Sequence, residues 1–242
     1  MSHNKIEFVP FPAVTNATED GLLAMGGDLN SNTIVSAYVQ GIFPWYSDDQ
    51  PILWWSPNPR MVLFPDDIKV SRSLTKTLKR NNLRVTCNQD FDAVIKACAL
   101  RGNQNPSIAN EGTWITDGMY SAYLALHQQH YAHSIEVWQE NQLVGGLYGL
   151  ALGRSFFGES MFSRVNDASK VGLVTLCRYL SAANYRVIDC QVASDHLFSL
   201  GAIEIEGNQF LSFIADADIS KPNVNFSKSF KQLCPDDVIN TL

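Results

Sequence analysis

Apolar residues recur along this chain at two spacings, one helical and one alternating. Behind Ser31 or Asn32, either of which can cap a helix, Ile34, Val35 and Tyr38 fall three and four apart until Gly41 closes the segment. Helical spacing returns from a Ser71 cap to about Arg80, where Asn81-Asn82 ends it. It returns after Asp90, with Phe91, Val94, Ile95 and Cys98, and after Thr116 or Asp117, with Tyr120, Tyr123, Leu124 and His127 on one face. Leu83 to Cys87 is a short strand candidate between these helices. Farther on, His133–Trp138, Leu143–Leu152 and Ser155–Phe162 read as three strands joined by turns at Gln139–Gln142 and Gly153-Arg154. A helix then starts at Asp167 or Ser169 and buries Leu173, Leu176, Cys177 and Leu180. Arg186–Gln191 is a strand, Asp195–Leu200 a short helix and Ala202–Phe213 a final strand; the polar tail beyond Ala215 has no assignment.

The early chain is punctuated instead. Pro44, Pro51, Pro57 and Pro59 lie within sixteen residues, a density that excludes a helix and any central strand. Trp45, Trp54 and Trp55 then form an aromatic slab carried by loops. Residues 101–112 are polar and breaker-rich and read as a mobile loop. The organisation expected is α/β (α+β): a small N-terminal domain over residues 1–65 and a second domain over 66–242. The second has the order β-β-β-α-β-α-β of an N-acyltransferase-like (GNAT-like) mixed sheet, a fold analogy that establishes no chemistry by itself.

Composition narrows the class. The 242 residues are 45% apolar and 17% charged, enough for a full core, and 11% aromatics argue against disorder. No apolar run approaches the ~18 residues of a membrane span, and the N-terminus lacks the form of a secretory signal. The five cysteines are scattered with no C-x-x-C, which suggests reduced thiols in a cytoplasmic protein. No surface for self-association is evident, so a monomer is the default. The net charge of −6 speaks against nucleic acid, but its distribution reverses that reading. Lys69, Arg72, Lys76, Lys79, Arg80 and Arg84 hold a third of all Lys and Arg, with no acid between Ile68 and Gln89. Arg72, Lys76, Lys79 and Arg80 share one helix face, and a face of one sign fits phosphate contacts.

Candidate chemistry lies near the end of two strands. Alternation in Asp189-Cys190-Gln191 sends Asp189 and Gln191 to one face and Cys190 to the other. A carboxylate beside an amide suits holding an amine and steadying an oxyanion, or else simply satisfies backbone groups. Glu159 sits among Phe156, Phe157, Met161 and Phe162, where it pairs with a cation or keeps a proton through desolvation. Ser160 lacks the second Gly of a nucleophile elbow. The turn Ser163–Ala168 contains no Gly and carries Asp167, so it is poorly suited to a CoA pyrophosphate. His127, His130 and His133 form H-x-x-H-x-x-H without supporting acids or cysteines, and no metal site is assigned. Of Trp45, Trp54, Trp55 and Trp114, some plug the core and others can stack on a base or wall off a ligand.

Several motifs, in order over roughly residues 20–213, carry a family resemblance. They include G-L-L-A-M-G-G-D-L (21–29), G-I-F-P-W (41–45), P-I-L-W-W-S-P-N-P-R (51–60), G-T-W-I-T (112–116), F-G-E-S-M-F-S-R (157–164) and D-C-Q (189–191). The chain resembles the leucyl/phenylalanyl-tRNA–protein transferase (aminoacyl-transferase) family. The resemblance implies a cytoplasmic enzyme needing neither CoA nor metal. It would move Leu, Phe or less readily Met from aminoacyl-tRNA to proteins beginning with Arg or Lys, directing them to N-end-rule degradation. It also implies that Asp189 and Gln191 carry the chemistry, Glu159 helps position the acceptor and Trp114 lines the site. Leu147, Phe156 or Phe157, Met161 and Leu176 would receive the aminoacyl side chain; Ser163, Trp45, Trp54 and Trp55 complete the expected substrate contacts. Arg72, Lys76, Lys79, Arg80 and Arg84 would contact tRNA. Leu147 and Leu176 stand where Met and Phe are commoner, and Asn58 where Asp is. A CoA-dependent small-molecule N-acyltransferase and a non-catalytic tRNA-binding module are the alternatives.

Overall fold

The structure is a computed structural model and describes residues 6–80, 82–101 and 115–234. The elements are, in chain order, β1 (Leu22–Met25), α1 (Ser31–Val39), β2 (Phe43–Pro44), β3 (Leu53–Trp55), β4 (Arg60–Leu63), α2 (Arg72–Lys79), β5 (Arg84–Cys87) and α3 (Phe91–Arg101). They continue with α4 (Asp117–Gln128), β6 (Ala132–Gln139), β7 (Gln142–Leu152), β8 (Ser155–Ser163), α5 (Ala168–Ala182), β9 (Val187–Gln191), α6 (Asp195–Ser199), β10 (Ile203–Ile205), α7 (Gly207–Ile214) and α8 (Phe226–Leu233).

Among the described residues the strands form two sheets, β1-β3-β2 and β10-β4-β9-β8-β7-β6-β5. Neighbours pair antiparallel except β8 and β9, which run parallel because α5 carries the chain back between them. This is the mixed α/β sheet expected, with two additions. Arg60–Leu63, read as part of the Pro-rich N-terminal section, is a strand deep in the large sheet, between β9 and β10. Leu53–Trp55 is the middle strand of the small sheet, contrary to the exclusion drawn from proline density. Pro51 and Pro57 flank that strand without interrupting it, and Pro44 lies in β2 at the sheet's edge, where a missing N–H costs no ladder bond.

Both faces of the large sheet are covered, which is why β7 is buried almost throughout its length. One face packs Val62, Tyr148, Leu150, Phe157 and Val187 with residues of α1, α3 and α4. The other packs Met61, Leu147, Phe156 and Ile188 with residues of α2, α5 and α8.

Local chemistry sets most helix starts. Asn30, one residue before the expected cap, accepts the Thr33 N–H, and Ser71 and Thr116 accept those of Leu74 and Met119. In α4 the buried residues are Met119, Ala122, Tyr123 and Leu126, so the inward face is rotated from the one expected. The expected strand Ala202–Phe213 ends at Ile205. From Gly207 the buried spacing becomes Phe210 and Ile214, and the Gly207 N–H donates to Asn58 Oδ1 (2.8 Å) from a distant part of the chain. The unassigned tail contributes α8, whose Phe226 and Phe230 are buried. The loop 101–112 and Trp114 lie outside the fully described residues.

Candidate active site

β8 and β9 pair over only three register positions, ending at Phe157↔Asp189, while β8 runs on to Ser163. A cavity of about 350 Å³ lies where the strands part. Leu147, Phe156, Met161, Leu173, Leu176 and Ile188 make its wall; Glu159, Gln191, Ser194 and His196 add polar groups. Many small-molecule sites combine apolar walls with a few converging polar groups in this way.

An irregularity in β8 aims these side chains. Tyr148 pairs with Ser160 but Gly149 with Gly158, leaving Glu159 as an extra residue. Strict alternation would put Met161 on the same face as Phe157 and Glu159. The bulge turns it back to the α5 face, beside Phe156. Gly149 permits this, since a Cβ there would lie 2.2 Å from the Phe157 carbonyl oxygen.

Glu159 meets two tyrosines. Tyr38 Oη lies 2.6 Å from Oε1, Tyr123 Oη 2.8 Å from Oε2, and the two hydroxyls 2.6 Å from each other. Three O···O contacts need three protons, and the tyrosines supply two. An ionised Glu159 therefore leaves one contact without a proton; a protonated Glu159 completes the ring. Burial pushes its pKa up to about 7 against the pull of both tyrosine hydrogen bonds, with a smaller push from Asp189.

Asp189 is fully buried and accepts from Arg60 Nε (2.8 Å) and Nη2 (2.7 Å), while its Oδ1 also accepts the Gln191 backbone N–H (3.0 Å). Arg60, 1% exposed, also donates to the Gly41 carbonyl (3.1 Å) and lies over the rings of Phe43 and Phe210. Removing either partner would strand a buried charge, at a cost of roughly 3–5 kcal/mol. Asp189 thus stays behind the site as a fixed anion that holds the Gln191 backbone. Gln191 has φ of 58°, a left-handed conformation that breaks the alternation. Consequently Cys190 and Gln191 both line the cavity, not opposite faces as alternation requires. Gln191 Nε2 donates to the Gly158 carbonyl (2.7 Å) and bridges the parted strands. Burial, with Asp189 nearby, pushes the Cys190 thiol far up, so it is a poor nucleophile.

The structure brings together Glu159, Gln191, Leu147, Phe156, Met161 and Leu176. Phe157 faces the other side of the sheet, with its ring edge-on to Tyr38 at 5.2 Å. Trp54 is a core residue that packs on Phe11 and donates to the Gly26 carbonyl (2.9 Å). Trp55 donates to the Trp45 carbonyl (2.6 Å), and their rings lie 5.8 Å apart. None of these three tryptophans lines the cavity. Ser163 lines an adjoining cavity of about 450 Å³. Arg72, Lys76, Lys79, Arg80 and Arg84 are exposed, and Arg84 rests 5.5 Å from the centre of the Trp138 ring.

Sequence reasoning missed Leu173, Ile188 and His196 on the cavity wall, as well as Arg60. Leu173 was legible as the i−3 neighbour of Leu176, and Ile188 as the alternation partner of Cys190; nothing local marked Arg60 for Asp189. Among the described residues no three His, Cys, Asp or Glu side chains gather as metal ligands would. His127 is stacked on Phe91, and His133 on Phe226 with its pKa pushed down to about 3 by burial. Among the same residues no helix is long and apolar enough to cross a membrane.

A mixed sheet parted beside its parallel pair, with an apolar pocket and hydrogen-bonding groups at the opening, is the α/β mixed-sheet arrangement expected from the order of elements. Residues 62–215 match the family described as leucyl/phenylalanyl-tRNA protein transferase, and residues 27–58 match the N-terminal domain of that family. Relatives named leucyl/phenylalanyl-tRNA–protein transferase include one from Pseudomonas aeruginosa PAO1, 57% identical over 206 residues (84% of this chain, 89% of the relative). Another, from Pseudomonas fluorescens Pf0-1, is 53% identical over 215 residues (88% and 92%), and one from Cellvibrio japonicus is 55% identical over 202 (83% and 84%). The chain belongs to the leucyl/phenylalanyl-tRNA–protein transferase family and is an aminoacyltransferase.

Proposed function

We propose that this chain transfers Leu or Phe, and less readily Met, from aminoacyl-tRNA to the N-terminal α-amino group of proteins beginning with Arg or Lys. The product carries a destabilising N-terminus that marks it for degradation by the N-end rule, and the enzyme works in the cytoplasm as a monomer. The observation that carries the reading is the apolar cavity with Glu159 and Gln191 at one end. Burying a Leu or Phe side chain there contributes about 1.5–3 kcal/mol. That binding energy places the ester carbonyl beside the polar groups.

The ester is already activated, so aminolysis needs a neutral amine, a fixed approach and support for the developing oxyanion. An α-ammonium has a pKa of ~7.7–8.0, close to that of Glu159. The ionised fraction of Glu159 takes one proton from the ammonium and closes its ring with Tyr38 and Tyr123. The neutral amine then attacks the ester carbon, the C–O bond to the ribose breaks, and the ribose oxygen leaves with a proton from the amine nitrogen. Gln191, with Nε2 tied to Gly158, offers Oε1 to orient the amine; an amide is too weak a base to take its proton. Asp189 and Arg60 act through Gln191 as positioning residues.

The test is transfer of labelled Leu from charged tRNA to a peptide beginning with Arg. Wild-type protein should transfer it, and Gln191→Ala should slow transfer by about a hundredfold. Failure of the wild type, or an undiminished rate in Gln191→Ala, would refute the reading.

A further inference from the structure

The second cavity shares two walls with the first, Met161 and His196, and apart from Val165 is otherwise polar: Ser163, Arg164, Asn166, Asp167, Ser169 and Lys170 line it. The missing glycines and the acid at this turn argued against a phosphate ligand, but the geometry alters the weight of the acid. Asp167 accepts from Thr77 Oγ1 (3.2 Å) and Lys170 Nζ (2.9 Å), and its side chain is only 7% exposed. Its charge is matched inside the protein. Arg164 and Asn166 are exposed.

The Thr77 contact also fixes where the basic helix lies. Leu74 and Leu78 anchor α2 in the core shared with α5, and the exposed Lys76, Lys79 and Arg80 belong to the segment docked against this turn. Three surfaces therefore follow one another: an apolar cavity, a polar cavity and a cationic helix face. The chemistry along the end of an aminoacylated RNA has the same order, an apolar side chain on its ester, then a sugar–phosphate strand, then a duplex of high charge density.

We propose that the cavity at Ser163–Lys170 is a binding site for the sugar–phosphate backbone of the RNA's single-stranded 3′ end, leading it from the aminoacyl cavity to α2. This rests on the function proposed above but has its own test. The phosphodiester meets Arg164, while Lys170 stays paired with Asp167, and the ribose hydroxyls meet the serines and Asn166; no covalent step occurs here. Phosphate contacts of this kind position a nucleic acid without reading its sequence.

The experiment measures equilibrium binding of three probes to the intact protein: an uncharged RNA hairpin with a single-stranded CCA 3′ end, leucyl-adenosine and acetyl-CoA. Arg164→Ala and Asn166→Asp alter exposed side chains, and thermal melting checks that both variants fold. Each should weaken hairpin binding by about tenfold, and Arg164→Ala should lower the salt slope by about one. Leucyl-adenosine, which has no phosphate, should weaken by less than about twofold. Equal weakening for the hairpin and leucyl-adenosine, or none for the hairpin, would overturn the proposal. Arg164-dependent binding of acetyl-CoA as tight as that of the hairpin would also overturn it. A wild type that binds the hairpin with this pattern yet transfers no Leu would refute the proposed function and leave the site standing.

Discussion

Glu159 shows how a count of protons becomes a functional property. Three contacts among four oxygens are all filled only when the acid carries a proton, and burial separately raises its pKa to about 7 against the pull of both tyrosine hydrogen bonds. The ionised fraction, which accepts the ammonium proton, therefore grows as pH rises through about 7. Transfer should accelerate between about pH 6 and 8, because the acceptor amine loses its proton over the same range. Glu159→Gln should lower kcat by at least about tenfold and leave the amine as the remaining titrating group, visible as a rate profile displaced to higher pH. An unchanged profile would remove Glu159 from proton transfer. Asp189 plays the opposite part: Arg60 takes up its charge within bonding distance, and its remaining work is to hold one backbone N–H of Gln191.

Among the elements, α2 separates its two tasks by face. Leu74 and Leu78 go inward, while Arg72, Lys76, Lys79 and Arg80 stay exposed. Replacing Lys76, Lys79 and Arg80 by Ala should weaken aminoacyl-tRNA binding and flatten its dependence on salt. The slope should fall by about one for each phosphate that the protein ceases to neutralise, read from a titration across ionic strength. An unaltered slope would mean a merely solvated face. The bulge in β8 is the other decisive element. It is one residue long, yet without it Met161 would face the tyrosines instead of the cavity.

In the whole molecule, the two covered faces of the large sheet tie the site to segments far from it. Helix α8 is an example: Phe226 stacks on His133 at 4.2 Å and contacts Tyr179 at 4.9 Å, closing the α5 face. Phe226→Ala should cost about 3–5 kcal/mol, measured from the urea midpoint at unchanged slope. The second cavity belongs to this scale as well, since it exists only because β8, α5 and α6 converge while α2 closes against Asp167.

The local patterns alone determined most of the elements: the capped helices, the three long strands from 132 to 163, and the Leu173–Leu180 face of α5 were legible because caps, turns and periodicity act between near neighbours. Linear motifs likewise brought Glu159, Gln191 and the apolar pocket residues into view, along with the family. Tertiary structure decided what depends on distant partners. The hydrogen bond from Gly207 to Asn58 accompanies the change from an expected strand to a helix, β9 gives Arg60–Leu63 its place in the large sheet, and Arg60 reaches Asp189 across 129 positions of chain. The left-handed turn at Gln191 and the extra residue at Glu159 belong here too. A period of two leaves no trace of where it will be broken; the pairing strand on the other side sets that position.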